Sequence, residues 1–498
     1  MSVLSLSQFV ASLEKGDLIA NLRAGLVGKT AMTDGPFGPK PLIYCDYAAS
    51  GRGLRQIEDY IIEHVLPFYS NSHTEASYCG RVMNRMRHEA RAEIARVCGA
   101  SDTCSVVFCG SGATSAINKL VFLFLGDRLA RAKSAPLVLI GPYEHHSNIL
   151  PWRESGAEVV EICEAADGGP DLEHLRRVLE AQAKTRAVIG AFSAASNVTG
   201  VMTDTNAVTR LLKKYGARAV WDFAGGGPYM KVDMACGTDA EKDAVVLSPH
   251  KFVGGPGASG VLIVRNGAAV VEAPSQPGGG TVSFVSPWRH SYSASLQVRE
   301  ESGTPNVIGD IRAALVLMIK DRARRLGRDE VAARHRRRAL ARWGANPRLQ
   351  LLGADLRECA PIVSFRIRDG RGGYVHHQLF TRMLTDMYGV QARGGCACAG
   401  PYAHRLLGIS EAESERIFSD IMAGHELNKP GWVRLNFSWL QTDEEADHVI
   451  AVVDHLAASA VELSDLYDAD AASARFTAKP GARPEHLAAM AGAPAVPA

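Results

Sequence analysis

Short runs of β-branched and apolar residues, bounded by Gly, Pro and polar positions, recur between about residue 44 and residue 300. The runs Ser105–Cys109, Leu137–Ile140, Val159–Ile162, Ala187–Phe192, Ala219–Asp222, Ala244–Leu247 and Gly260–Val264 predict seven strands. Stretches of helical period lie between most of them, at Ser115–Phe124, Leu172–Ala183 and Thr205–Tyr215. Strands that are apolar throughout and alternate with helices predict a mostly parallel sheet covered on both faces. From Ile311 to about Trp343 the period becomes that of one or two long helices. Beyond them, strands are predicted at Ile362–Arg368 and Trp432–Phe437, with helices at Tyr374–Tyr388 and Asp443–Ala457. The chain thus reads as an α/β protein in four parts. These are an N-terminal helical segment (1–41), a large domain (42–310), a smaller C-terminal α+β domain (311–465) and a disordered Ala/Pro/Gly-rich tail (466–498).

At 498 residues a large and a small core are both affordable. Lys plus Arg (55) nearly balance Asp plus Glu (53), so no overall charge pulls the chain toward nucleic acid or anionic lipid. The arginines between Arg322 and Arg342 are diluted by Asp329 and Glu330 and read as a solvated helix face. No apolar run reaches membrane-spanning length, and the first residues lack a signal-peptide pattern, so a cytoplasmic protein is expected. The ten cysteines are scattered apart from Cys396-Ala-Cys398. That spacing predicts reduced thiols rather than a disulfide framework, and no metal site.

The candidate chemistry falls where predicted strands end, the place ligands occupy in open parallel sheets. Gly110-Ser-Gly-Ala-Thr114 turns from a strand into a helix, where small residues and free N–H groups suit a phosphate. Asp222 closes an apolar strand and needs a cationic partner. In Ser248-Pro-His-Lys251, again beyond a strand, an amine among apolar elements is costly to keep charged, as Schiff-base chemistry requires. Phosphate on the turn, ring nitrogen on Asp222 and aldehyde on Lys251 together describe pyridoxal 5′-phosphate.

With Tyr44-Cys-Asp-Tyr-Ala-Ala49, Glu144-His-His-Ser-Asn148, Ser196-Asn-Val-Thr-Gly200, Gly303-Thr-Pro-Asn306 and Arg393-Gly-Gly-Cys-Ala-Cys398, the chain resembles a known superfamily over residues 42–460. It is that of the class V aminotransferases, of pyridoxal-phosphate fold type I, and within it the cysteine desulfurase and selenocysteine lyase group. The resemblance implies that Lys251 bonds the cofactor and moves the substrate proton, and that His145 stacks on its ring. Asp222 would hold the ring nitrogen, and Asn197 would reach the ring oxygen or the substrate. Gly112, Ala113, Thr114, Ser248 and His250 would bind the phosphate. Gly278-Gly-Gly-Thr281 would reach the neighbouring subunit's phosphate site in a homodimer. Arg434, with Arg393 as a second contact, would grip an amino-acid carboxylate. Relatives usually carry glutamine three residues after the strand-end aspartate; this chain has Gly225.

In the group it resembles, the sulfur nucleophile lies five residues after the arginine that opens this loop, so the resemblance implies that Cys398 is the nucleophile, on a loop similar to that of molybdenum cofactor sulfurase. Pro401 suits the first position of a helix beyond it, and a cysteine just ahead of a helix N-terminus and near Arg393 favours the thiolate. The resulting reading is a desulfurase that takes L-cysteine, or a related thio or seleno amino acid, to alanine and a persulfide on Cys398, from which a sulfur-acceptor protein would receive the sulfur. The alternatives are another reaction of the superfamily (C–S lyase, epimerase or aminotransferase) and a catalytically idle, cofactor-binding partner in a sulfur-relay complex.

Overall fold

The computed structural model describes residues 4–71, 74–126, 135–356, 358–483 and 485. It contains two compact units. The larger comprises residues 1–27, 50–196 and 202–326; the smaller comprises 28–49, 197–201 and 327–498.

The larger unit is built on a seven-stranded sheet. Its strands are β1 (Cys104–Cys109), β2 (Leu137–Ile140), β3 (Glu158–Glu161), β4 (Val188–Ser193), β5 (Arg218–Asp222), β6 (Ala244–Leu247) and β7 (Gly260–Arg265), in the order β1-β7-β6-β5-β4-β2-β3. All neighbours are parallel except β7, which opposes both β1 and β6. Because β1 and β6 both oppose β7, they run the same way. The carboxyl ends of β1, β2, β4, β5 and β6 therefore share one edge of the sheet. Every residue of β2, β4 and β6 is buried, which explains their unbroken apolar runs. Helices enter at aspartates: Asp171 accepts from the N–H groups of Glu173 and His174, and Asp204 from those of Asn206 and Ala207. A hairpin, β8 (Val282–Val285) and β9 (His290–Tyr292), projects exposed Phe284, Val285 and Trp288.

The smaller unit holds an antiparallel sheet of β10 (Leu349–Leu352), β11 (Ile362–Arg368), β12 (Tyr374–Val375), β13 (Arg393–Gly395) and β14 (Trp432–Asn436). The order is β10-β11-β14-β13, with β12 on β11. Its core gathers Trp343, Phe365, Phe380, Val433, Leu435, Phe437 and the apolar face of helix Asp443–Leu463, which starts in a capping box of Thr442 and Glu445.

Four sequence expectations need correction. The boundary between units falls at Leu326 and Gly327, between the helices Val307–Arg325 and Arg328–Gly344, and not at residue 310. Helices in the first segment end at Ala24; residues 28–41 belong to the smaller unit, with a short ladder of Met32–Thr33 and Lys40–Pro41. The expected helix from Tyr374 begins at His377, because the Asp369 carboxylate, accepting from the N–H groups of Arg371 and Gly373, turns the chain so that β12 returns along β11. The tail from residue 466 is not disordered throughout. Tyr467–Asp470 and Arg475–Ala478 (β15 and β16) form a hairpin anchored by buried Tyr467, whose hydroxyl lies 3.3 Å from Asp386. Residues 486–498 lie outside the described residues. The arginine run is knitted into the fold: Arg334 and Arg338 pair with Asp443, Arg342 pairs with Asp454, and Arg336 is buried, donating to the Ile362 carbonyl.

Candidate active site

At the carboxyl edge of the large sheet, β1 runs into helix Gly112–Leu125 through a left-handed Gly112 (φ +61°). A Cβ there would stand 2.7 Å from the His250 ring and 2.8 Å from Ser248 Oγ, so only glycine allows this approach. The Ala113 N–H, at the open start of the helix, donates to Ser248 Oγ at 3.0 Å. Gly112, Ala113, Ser248 and His250 thus converge on one helix N-terminus, whose free N–H groups and dipole favour an anion. Thr114 Oγ1 lies 2.8 Å from Ser147 Oγ, which lies 3.1 Å from His145 Nδ1. The Ser147 N–H also points at Nδ1 (3.1 Å). A backbone N–H can only donate, so Nδ1 is the acceptor and the neutral His145 ring carries its proton on Nε2.

Asp222, at the end of β5, is buried and accepts from the Ala224 N–H at 2.7 Å. Burial raises its pKa, while that N–H and the charge of Lys251 pull it down. Lys251 ends the short turn Pro249–Lys251 beyond β6. Burial and the Lys251 charge together lower the pKa of His250. Behind His145, Glu144 is fully enclosed. It accepts from the N–H groups of Gly141 and Ser193, from Asn148 Nδ2 and from Ser193 Oγ. It ties the end of β2 to the end of β4. Burial pushes its carboxyl up to about 7 against the pull of Asn148 and Ser193, with the charge of Asp222 adding to the rise. Glu144, Ser147 and Ser193 are residues to which the sequence assigned no role, although two of them lie inside a motif already noted. Gly225 sits in the tight turn after β5, where the Gly227 N–H returns to the Phe223 carbonyl at 2.7 Å. Thr281 is buried in its own turn, its hydroxyl donating to the Gly278 carbonyl.

In the smaller unit, Arg393 and Arg434 are directly opposite on β13 and β14. Asp46 bridges them: Oδ1 accepts from Arg434 at 3.1 Å and Oδ2 from Arg393 at 3.0 Å. One carboxylate between two guanidinium groups leaves net positive charge, which suits a further carboxylate. Arg434 is 4% exposed and also donates to the Asn197 carbonyl at 3.0 Å. Asp46 went unassigned in the sequence because its partners lie hundreds of residues away. The parallel ladder of Ile43–Tyr44 with Val390–Gln391 brings it there.

Asn197 Nδ2 donates to the Ala397 carbonyl at 2.7 Å, pinning the thiol turn. That turn is closed by the Ala399 N–H to the Cys396 carbonyl, and both central residues, Ala397 (φ +52°) and Cys398 (φ +54°), are left-handed. Left-handed backbone at a non-glycine residue costs on the order of 1 kcal/mol, and such strain collects at functional positions. Cys398 is exposed, Cys396 half-buried. The helix that follows, Gly400–Leu407, takes Gly400 at its first position and Pro401 at its second. Among the described residues no group of three or more His, Cys, Asp or Glu side chains is placed to hold a metal, and no helix is long and apolar enough to cross a membrane.

A mostly parallel seven-stranded sheet bearing an anion cradle, a buried aspartate and a lysine along one edge is the type I fold of pyridoxal-phosphate enzymes. More narrowly, the chain belongs to the aminotransferase class V family, whose model matches residues 43–449. A cysteine desulfurase of Enterobacter sp. (strain 638) is 30% identical over 368 residues, 72% of this chain and 85% of that protein. A probable cysteine desulfurase of Vibrio cholerae serotype O1 is 27% identical over 418 residues, 83% of this chain and 93% of that one. Among solved structures, the apo cysteine desulfurase of Thermococcus onnurineus NA1 matches with a TM-score of 0.69 at 23% identity, covering 84% of this chain and 95% of that one. The Escherichia coli cysteine desulfurase CsdA matches with a TM-score of 0.68 at 21% identity, covering 88% and 98%. These superpositions establish the fold.

Proposed function

We propose that the protein is a pyridoxal-phosphate-dependent cysteine desulfurase. It would convert L-cysteine, or a related thio or seleno amino acid, to alanine and transfer the sulfur to Cys398. The observation that carries this reading is the thiol turn: an exposed cysteine held left-handed and tied through Asn197 to the arginine suited to a substrate carboxylate.

The residues present fit the cofactor. The Ala113 N–H, Thr114, Ser248 and His250 would hold its phosphate, Asp222 its ring nitrogen, Lys251 its aldehyde, and His145 would lie against its ring. A protonated ring nitrogen would supply the counter-charge that the buried Asp222 carboxyl needs. When bound, such a cofactor supplies an electron sink for charge developing at the substrate α-carbon. Lys251 takes the α-proton and returns one, and the Nε2 proton of His145 is available to it as a relay. Arg434, fixed by Asp46 and the Asn197 carbonyl, binds the carboxylate, with Arg393 as a second contact. The Cys398 thiolate attacks the substrate sulfur; an S–S bond forms as the C–S bond breaks, and the carbon left behind is protonated. The sum balances as L-cysteine plus enzyme thiol giving L-alanine plus enzyme persulfide, which a sulfur-acceptor protein would consume. The exposed Phe284, Val285 and Trp288 of the β8–β9 hairpin support a homodimer.

The test is incubation of the cofactor-loaded protein with L-cysteine. Alanine and sulfide in equal amounts, with a reductant present to release the persulfide, are expected. Pyruvate, ammonia and sulfide would make it a C–S lyase; 3-mercaptopyruvate, without free ammonia, an aminotransferase; and D-cysteine an epimerase.

A further inference from the structure

The smaller unit also holds a cavity that the proposed reaction does not use. With a volume of about 180 Å³, it opens among β11, β12 and the segment leading into β14. Arg366, Tyr374, His377, Lys429 and Trp432 line it, and no Asp or Glu is among its lining residues. The Arg366 guanidinium carbon sits over the Tyr374 ring, 3.3 Å from its centre. It is half-buried, and no carboxylate pairs with it among the described residues. Lys429 is exposed, with Glu426 3.6 Å away.

Two further features point to a ligand. Trp432 is fully buried, yet its indole N–H meets no acceptor among the described residues. A buried donor without a partner is costly, and native folds rarely tolerate one. His377, buried beside it, is pushed down to about 3 by burial, then by the charges of His376, Arg366 and Lys429. A neutral histidine surrounded by cationic groups marks a positive, partly dry cavity. Its wall is closely built: a Cβ at Gly431 would come within 2.8 Å of the His377 ring.

The sheet register fixes where this cavity stands. Ser364 pairs with Arg434 and Phe365 with Val433. Continued by one step, that register sets Arg366 opposite Trp432, which lies two residues along β14 from Arg434 and on the same face.

We propose that this cavity binds a small oxyanion, the carboxylate or phosphate group of a small molecule, with Arg366 stacked on Tyr374 and the Trp432 indole N–H as its donors. A planar guanidinium held on an aromatic face presents its N–H edge to such a group.

The test uses the cofactor-loaded, full-length protein titrated calorimetrically with inorganic phosphate, and separately with acetate, at constant ionic strength set by chloride. Saturable binding of one or both is expected, and which one binds tells a phosphate from a carboxylate ligand. Arg366→Met should weaken it at least tenfold. Trp432→Phe, which keeps a ring but removes the N–H, should weaken it several-fold and serves where Arg366→Met fails to fold. Arg434→Lys should leave it unchanged. No saturable binding by the wild type, wild-type affinity in both cavity variants, or loss with Arg434→Lys would each overturn the proposal. The readout is binding, so it stands apart from the outcome with L-cysteine.

Discussion

The carboxyl edge of the large sheet and the thiol turn of the smaller unit hold reactive groups in opposite ways. On the sheet edge the polar groups are enclosed: Glu144 is buried and accepts four hydrogen bonds, buried Ser248 meets a helix N-terminus, and Asp222 is buried on a backbone N–H. The thiol turn is exposed, carries two left-handed non-glycine residues and is pinned by one side-chain amide, from Asn197. The difference matches the tasks proposed for them. A cofactor must be held still while charge develops on it, and stored order at the sheet edge spares reorganisation at that moment. A thiol that accepts sulfur and passes it on must reach two places, so strain and a light tether serve it better than burial.

Variants can break this comparison, the largest effect coming from the rigid side. Lys251→Ala should abolish alanine formation and the cofactor adduct that borohydride fixes on the wild type, while far-ultraviolet circular dichroism stays unchanged. Substantial turnover in that variant would remove the lysine from the account. Arg434→Lys should raise KM for L-cysteine about 10–100-fold, the worth of a charge-assisted fork, with a smaller change in kcat. An unchanged KM would leave Arg434 a structural partner of Asp46. Asn197→Ala should lower kcat only several-fold, about 1 kcal/mol, because the turn loses one hydrogen bond. Measured persulfide formation as slow as in a Cys398 variant would show that the turn is not lightly held.

A smaller effect sharpens the rigid side. The folded pKa of Glu144 is raised, to about 7, above its ordinary value. Between roughly pH 4.5 and 7 the folded state therefore holds a proton that the unfolded chain has released. Stability from this group is greatest at the acidic end and falls as pH rises, by at most about 1.4 kcal/mol per pH unit. Glu144→Gln should flatten that slope in thermal melts across the window. Parallel wild-type and variant slopes would show that Glu144 does not titrate there.

The same contrast governs what the sequence revealed. All seven strands of the large sheet were legible to within two residues at each end; apart from the half-exposed β3, they are buried on both faces and so apolar for most of their length. Asp222 and Lys251 stood out because polar residues at the ends of such runs are conspicuous. The smaller unit was harder to read. β13 is three residues long and two of them are glycine, and β10 alternates too weakly to separate from its surroundings. The β15–β16 hairpin has Ala-Ala-Ser-Ala at its bend, a composition that resembles a disordered tail, and its order comes from packing through Tyr467, Phe476 and Ala478, which no local pattern announces. Asp46 could be noticed but not assigned, since its two arginines reach it through a ladder that no local pattern encodes.

The central claim is that Cys398 receives sulfur from the substrate. Cofactor-loaded protein should be mixed with one equivalent of L-cysteine, quenched, alkylated and digested, and the peptide Gly394–Arg405 examined by mass spectrometry. The account predicts one added sulfur on Cys398, in step with one alanine, and neither in Cys398→Ser, whereas Cys396→Ser keeps both. Full alanine formation by Cys398→Ser, with no sulfur ever found on this peptide, would contradict it.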